Sequence, residues 1–229
     1  MAQNSMNNSK KFGFIFDLDG TLIDSAGQIA KAVNRTRISW DLPALDFGEI
    51  HKNVGRPADS MFSDLKLRKD ELVEIVTEFR QFLLEDIQIS NEVYEDALKF
   101  VELLKRNGQF VAIATSKPTD LAIAVVENSK YAGLIDQIVG IGFHKPKPDP
   151  GMILEIMHGN NFDGGIMFGD RPEDITAAID SGIPAIGLAQ SVYSPDDLIR
   201  VGARSAFLNF TELMDEFEHT KDALIDYFR

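Results

Sequence analysis

From about residue 90 onwards, short apolar runs alternate with segments whose apolar residues recur at helical spacing. The strand-like runs are Phe110 to Ala114, Ile138 to Ile141, Ile166 to Phe168 and Ala185 to Leu188. Strands that alternate with helices normally lie side by side in a parallel sheet that helices cover on both faces. The pattern therefore predicts an α/β fold, a doubly wound and Rossmann-like parallel sheet.

The first part of the chain interrupts this alternation. An apolar run at residues 12–16 predicts a first strand, whereas residues 25–88 show helical spacing and no convincing strand. We therefore predict a disordered tail at residues 1–11, an α/β core formed by residues 12–24 and 89–229, and a small α-helical cap domain inserted at residues 25–88.

Composition and charge exclude several classes of protein. The 229 residues carry a net charge of −13 and include no cysteine, which excludes a disulfide framework, a thiolate zinc site and a cysteine nucleophile. An acidic chain is disfavoured as a partner of nucleic acid or of anionic membranes. Apolar runs are too short to span a bilayer. We expect a soluble cytoplasmic protein with no nucleic-acid or membrane partner.

The segment DLDGTLID follows the first predicted strand directly and holds two closely spaced carboxylates. Residues two apart in extended chain point the same way, so Asp17 and Asp19 are expected to project into one pocket at the strand end. Such carboxylates repel each other unless a cation joins them, and Mg²⁺ is a suitable hard cation. The alternative is an Asp-Gly turn in which Asp24 or Ser25 caps the next helix.

Three further polar clusters follow later strands. Asp170 and Asp174 lie in GDRPED, Thr115 and Ser116 lie in TSKP, and Lys145 begins the proline-rich run KPKPDP. Each has a plain alternative: acidic residues in a first helical turn, a helix cap, and a rigid surface connector. Together the four clusters supply a nucleophile, an acid/base, metal ligands and phosphate-binding groups, which phosphoryl transfer requires.

These motifs resemble the four motifs of the haloacid dehalogenase superfamily. DLDGTLID is similar to the first motif, Thr115 to the second, Lys145 in KPKPD to the third, and GDRPED to the fourth. The resemblance covers about residues 12–217. The helical insert resembles the cap of the subgroup that includes phosphoglycolate phosphatases and β-phosphoglucomutases.

The resemblance implies a mechanism and a set of site residues. Asp17 is expected to attack phosphorus and form an aspartyl-phosphate, and Asp19 to act as the acid and then the base. The implied metal is Mg²⁺, and the substrate is a small phosphorylated metabolite. The resemblance also implies that the metal is bound by Asp17, by the backbone carbonyl of Asp19 and by Asp170. Asp174 is expected to orient the metal's water. The phosphoryl oxygens are expected to be bound by Thr115, Ser116 and Lys145.

Two arginines need separate comment. Arg171 departs from the Ser or Thr that many relatives carry after the Asp of the fourth motif. The run Val54-Gly55-Arg56-Pro57 resembles a cap loop of phosphoglycolate phosphatases, so Arg56 is a candidate for recognising a substrate carboxylate or phosphate. The alternative for Arg56 is an exposed, solvated side chain.

The resemblance favours an enzyme, a Mg²⁺-dependent phosphatase that hydrolyses a small phosphomonoester such as phosphoglycolate. A β-phosphoglucomutase-type isomerase would use the same core residues and is the second hypothesis. A dehalogenase is disfavoured because its members lack the second Asp and the metal cluster. A non-catalytic binding protein on the same fold is a hypothesis of another class.

Overall fold

The computed structural model describes residues 11–89 and 91–220, and within them six parallel strands form one sheet. The order across the sheet is β3-β2-β1-β4-β5-β6, so the chain winds outwards in both directions from β1. This confirms the predicted α/β class and doubly wound sheet. The strands are β1 (Phe12–Phe16), β2 (Phe110–Pro118), β3 (Gln137–Ile141), β4 (Gly164–Gly169), β5 (Ala185–Leu188) and β6 (Ser205–Phe207).

Helices cover both faces of the sheet because successive strand residues point to opposite sides. Phe14 and Phe16 pack into one apolar cluster and Ile15 into another. The first cluster includes residues of α4, α5 and α9, and the second includes residues of α6, α7 and α8. These helices are α4 (Glu95–Arg106), α5 (Thr119–Glu127), α6 (Gly151–Gly159), α7 (Pro172–Asp180), α8 (Pro195–Val201) and α9 (Phe210–Thr220).

The segment between β1 and α4 is helical, as its spacing predicts. It contains α1 (Ala26–Ser39), α2 (Phe47–His51), a short 3₁₀ helix (Ala58–Phe62) and α3 (Lys69–Ile87). Helices α1 and α3 pack together, and their buried apolar residues continue into the cluster on one face of the sheet. The division into a core and a cap domain stays a prediction.

Two predicted boundaries can be compared with the structure, the end of the N-terminal tail and the end of β2. Residues 1–10 of the predicted tail lie outside the described part of the chain. Lys11, the last residue of that tail, is described, and its amide donates a hydrogen bond to Asp163 (2.9 Å). Strand β2 runs to Pro118, four residues beyond the predicted end. Among the described helices, none is both long and apolar enough to cross a bilayer.

The sheet order determines where a binding crevice is expected. Strand order reverses between β1 and β4, because β1 leads to β2 on one side while β4 leads to β5 on the other. In open α/β sheets, a crevice forms at this point beyond the carboxyl ends of the strands. Asp17 follows β1 and Asp170 follows β4, so both lie at this crevice.

Candidate active site

Three buried carboxylates meet where β1 and β4 end. Side-chain oxygens of Asp17, Asp170 and Asp174 lie within 4.8 Å of one another. Two hydrogen bonds position the first two residues: the Asp17 amide donates to the Phe168 carbonyl (2.8 Å), and the Thr21 hydroxyl donates to Asp170 Oδ1 (2.9 Å). The strand register thus assembles an acidic cluster from residues more than 150 positions apart.

A lysine lies against this cluster, and it is Lys147. Its Nζ lies 2.6 Å from Asp17 Oδ1 and 2.6 Å from Asp174 Oδ1, and it donates to the Ala114 carbonyl (2.7 Å). The prediction that Lys145 reaches the site is wrong, because Lys145 is exposed. The chain after β3 brings the second lysine of KPKPDP, and not the first, to the carboxyl end of β1.

The cluster holds more negative charge than the lysine neutralises. Burial raises the pKa of Asp17 to about 8, and the Asp174 and Asp170 carboxylates add to this rise while Lys147 opposes it. Burial, together with Asp174, likewise raises the pKa of Asp170 to about 7. Burial alone would lower the pKa of Lys147, but Asp17 and Asp174 raise it above its ordinary value. Three carboxylates with one ammonium therefore favour an additional cation.

The donor set fits a small hard divalent cation. Asp17 Oδ2 is buried without a hydrogen-bond partner, and carboxylate oxygens are the ligands that Mg²⁺ takes in proteins. Gly20 permits this crowding because its φ is +89° and a Cβ there would lie 2.7 Å from Asp170 Oδ2. Asp17, Asp170 and Asp174 are the residues that could hold the ion.

The Asp19 side chain is buried nearby but does not join the carboxylate cluster. Its Oδ1 lies 3.0 Å from Lys117 Nζ, and both side chains are about 6% exposed. The Asp19 side chain is therefore engaged by Lys117 and is not part of the group formed by Asp17, Asp170 and Asp174. Metal binding by its backbone carbonyl stays a prediction. Sequence reasoning gave Lys117 no role, although it stands directly after the Thr-Ser pair.

The two predicted phosphate-binding hydroxyls are buried at the end of β2. Thr115 Oγ1 accepts a hydrogen bond from the Lys117 amide (3.1 Å), and Ser116 Oγ accepts one from the Lys147 amide (3.3 Å). Both residues therefore shape the loops that carry the two lysines. Neither bond uses the hydroxyl proton, so each hydroxyl keeps a donor for a ligand oxygen.

Arg171, which stands where many relatives carry Ser or Thr in the fourth motif, is buried, and its side chain contacts the helical segment. Its guanidinium donates to the carbonyls of Val54 (2.8 Å) and Lys52 (3.4 Å) and lies 5.3 Å from the centre of the Tyr193 ring. Gly55 lets the loop come this close, since its φ is +81° and a Cβ would lie 2.9 Å from Arg171 Cδ. Arg171 therefore docks the loop at residues 52–56 onto the sheet end.

Arg56 lies in that docked loop, at the same crevice. Its Nε lies 3.3 Å from Glu173 Oε1, and its side chain is 41% exposed. Glu173 Oε2 is also 3.5 Å from Arg171 Nε, so one carboxylate lies between the two arginines. Arg56 is thus at the site, with part of its charge already paired.

Comparison with known proteins agrees with this geometry. The family of haloacid dehalogenase-like hydrolases matches residues 14–188. A phosphoglycolate phosphatase of Rhodospirillum rubrum is 31% identical over 214 residues, which cover 88% of each chain. A phosphoglycolate phosphatase of Aquifex aeolicus is 32% identical over 73% of this chain and 80% of its own.

A solved structure supports the same relationship. The crystal structure of a predicted phosphatase from Clostridium acetobutylicum superposes with a TM-score of 0.80 at 27% identity, covering 92% of this chain and 99% of the other. The chain belongs to the haloacid dehalogenase-like hydrolase family, and its relatives and structural neighbours mark it as a phosphatase enzyme.

Proposed function

We propose that the protein is a Mg²⁺-dependent phosphatase that hydrolyses a small phosphorylated carboxylic acid, with phosphoglycolate as the leading candidate. One observation carries the chemistry: Asp17 lies beside Lys147 within a buried carboxylate cluster that lacks enough positive charge. The names of the relatives from Rhodospirillum and Aquifex support the substrate.

In the first half-reaction, an Asp17 carboxylate oxygen attacks phosphorus. The bond between phosphorus and the leaving oxygen breaks, and Asp19 donates its proton to that oxygen, so the alcohol leaves neutral. Lys147, Thr115 and Ser116 stabilise the charge on the phosphoryl oxygens. The short contact between Lys147 and Asp17 supports this assignment, because a lysine there offsets the repulsion between a carboxylate and an anionic substrate.

In the second half-reaction, water attacks the phosphorus of the aspartyl-phosphate and Asp19 accepts a proton from that water. The bond between phosphorus and the Asp17 oxygen breaks, which releases phosphate and restores the carboxylate. The contact with Lys117 supports this role, because it fixes the position of the Asp19 carboxylate that accepts the proton.

Mg²⁺, held by Asp17, Asp170 and the backbone carbonyl of Asp19, with Asp174 beside it to orient its water, would supply positive charge beside the phosphoryl group. The orphaned Asp17 Oδ2 and the shortage of positive charge support this assignment.

A screen of small phosphomonoesters in Mg²⁺, with released phosphate as the readout, tests the proposal. We expect phosphate release, with phosphoglycolate among the preferred substrates. Conversion of β-glucose 1-phosphate to glucose 6-phosphate without phosphate release would instead support the isomerase hypothesis. An absence of both activities would support a binding protein.

A further inference from the structure

A narrow cavity of about 40 Å³ lies beside Asp19, between the sheet end and the helical segment. The sheet side contributes Asp19, Ser116 and Lys117, and the helical side contributes Arg56 and Arg80. The volume leaves space for only a few water-sized groups. In the proposed mechanism, Asp19 protonates the leaving oxygen, so this cavity is where the leaving group would lie.

The three basic residues that line the cavity differ in their partners. Lys117 pairs with Asp19, and Arg56 pairs with Glu173. Among the residues that the structure describes, the Arg80 guanidinium has no carboxylate within ion-pair distance, and its buried Nε has no hydrogen-bond partner. Of the three basic residues that line the cavity, Arg80 is therefore the one that is available to form an ion pair with a ligand.

Arg80 is half-buried, and its Nε is buried without a hydrogen-bond partner. An unpaired buried donor is unfavourable, and partial exclusion of water strengthens an ion pair that forms there. A guanidinium presents a planar fork of N–H donors that matches a carboxylate. The apolar residues that line the same cavity include Ile29, Ala58, Met61, Phe79, Leu83 and Leu121.

We propose that Arg80 is a specificity-determining residue that binds the carboxylate of the substrate's leaving group. This inference rests on the proposed function, because it places the phosphoryl group at Asp17 and the leaving oxygen at Asp19. Arg80 then meets the far end of a short leaving group, and α3 holds it there because its neighbours Phe79 and Leu83 are buried. Arg56 lines the same cavity and is paired with Glu173.

The test compares two substrates that differ at one group, phosphoglycolate and ethyl phosphate, which has a methyl group in place of the carboxylate. Arg80→Met should lower kcat/KM for phosphoglycolate about ten- to a hundredfold, the range for a hydrogen bond to a charged group. The same variant should leave kcat/KM for ethyl phosphate at its wild-type value. Arg80→Lys should recover part of the loss, because it keeps the charge without the fork.

The matched control is Arg68→Met, which removes an arginine that is 73% exposed at the start of the same helix. It should change neither substrate's kcat/KM. Equal losses on both substrates in Arg80→Met, or no loss on phosphoglycolate, would overturn the proposal.

Binding of glycolate, followed by NMR titration of the wild type and Arg80→Met, separates this proposal from the proposed function. Glycolate should bind the wild type and lose affinity in the variant, whether or not either ester is hydrolysed. If neither ester is hydrolysed while glycolate binding depends on Arg80, the proposed function fails, but Arg80 is still shown to be a carboxylate-binding residue of the cavity. No binding to the wild type, or equal binding to both proteins, overturns the inference.

Discussion

The two sides of the crevice differ in how their charged side chains are paired. The sheet wall consists of Asp17, Asp19, Lys117, Lys147 and Asp174, and the helical wall consists of Arg56 and Arg80. On the sheet wall, Lys147 bridges Asp17 and Asp174, and Lys117 pairs with Asp19, so both lysines are already engaged by side chains of the core. On the helical wall, Arg56 is half-exposed and tied to one carboxylate, and Arg80 has no partner among the described residues. The charged side chains of the sheet wall are therefore paired without substrate. The helical wall presents positive charge with which an anionic substrate can pair.

We therefore expect the sheet wall to carry out phosphoryl transfer and the helical wall to select the substrate. Changes in the sheet wall should affect every phosphomonoester alike, since all of them present the same phosphoryl group to Asp17. Changes in the helical wall should depend on what the leaving group carries.

Asp17→Asn should reduce turnover of every substrate to below about a hundredth of the wild-type rate, because an amide cannot replace the nucleophile. The fold should persist, since Lys147 keeps Asp174 as a partner. Phosphate release and circular dichroism measure the two parts. A folded variant with more activity than this would contradict the role of Asp17.

EDTA should stop turnover and Mg²⁺ should restore it, with Ca²⁺ a poor substitute because it takes more ligands at longer distances. Mg²⁺ should also raise the Tm, because it offsets the excess negative charge of Asp17, Asp170 and Asp174. The Tm shift gives a readout that is independent of catalysis. Full activity in EDTA would contradict metal dependence.

Lys147→Met and Lys145→Met form a matched pair within one proline-rich segment. The first should lower kcat on all substrates about a hundred- to a thousandfold, the usual effect of removing a group that stabilises transition-state charge. It should also lower the Tm, because it leaves buried carboxylates without their lysine. Lys145→Met should change neither quantity. Comparable effects of the two substitutions would show that the sheet wall is wrongly assigned.

Arg171→Ser should release the loop at residues 52–56, because the variant loses the hydrogen bonds to the Val54 and Lys52 carbonyls. A hydrogen bond to a charged group contributes about 1.5–3 kcal/mol, so we expect a rise in KM with a smaller change in kcat. Trypsin should cleave after Lys52 faster than in the wild type. Arg200→Ser, which removes an arginine that is 73% exposed on the core, is the control. Equal cleavage rates would argue against docking by Arg171.

The fold was readable from the sequence because it depends on local pattern. Short apolar runs between helical segments identify buried parallel strands, and the polar residues directly after them fall at one edge of the sheet. Asp17, Asp170 and Asp174 come together for this reason. The end of β2 was harder to place, because the strand continues through the polar residues Thr115 to Lys117, which pack inside the site.

The remaining site residues depend on the path of the chain in space. Lys145 and Lys147 stand in the same K-P repeat, and no local pattern shows which lysine returns to β1. Arg171 was recognised as a departure, but its contacts lie about 120 residues away in the loop that contains Val54. Arg80 is one of several arginines on the predicted helices, and only the fold shows that it faces Asp19 across a cavity.

In the proposed mechanism, Asp17 takes the phosphoryl group from the substrate. Enzyme quenched in acid at short times during turnover of phosphoglycolate, digested and mapped by mass spectrometry, tests this directly. We expect one phosphoryl group on the peptide that contains Asp17, sensitive to borohydride reduction as an acyl phosphate is, and none in Asp17→Asn. A phosphoryl group on another residue, or sustained turnover by Asp17→Asn, would contradict the account.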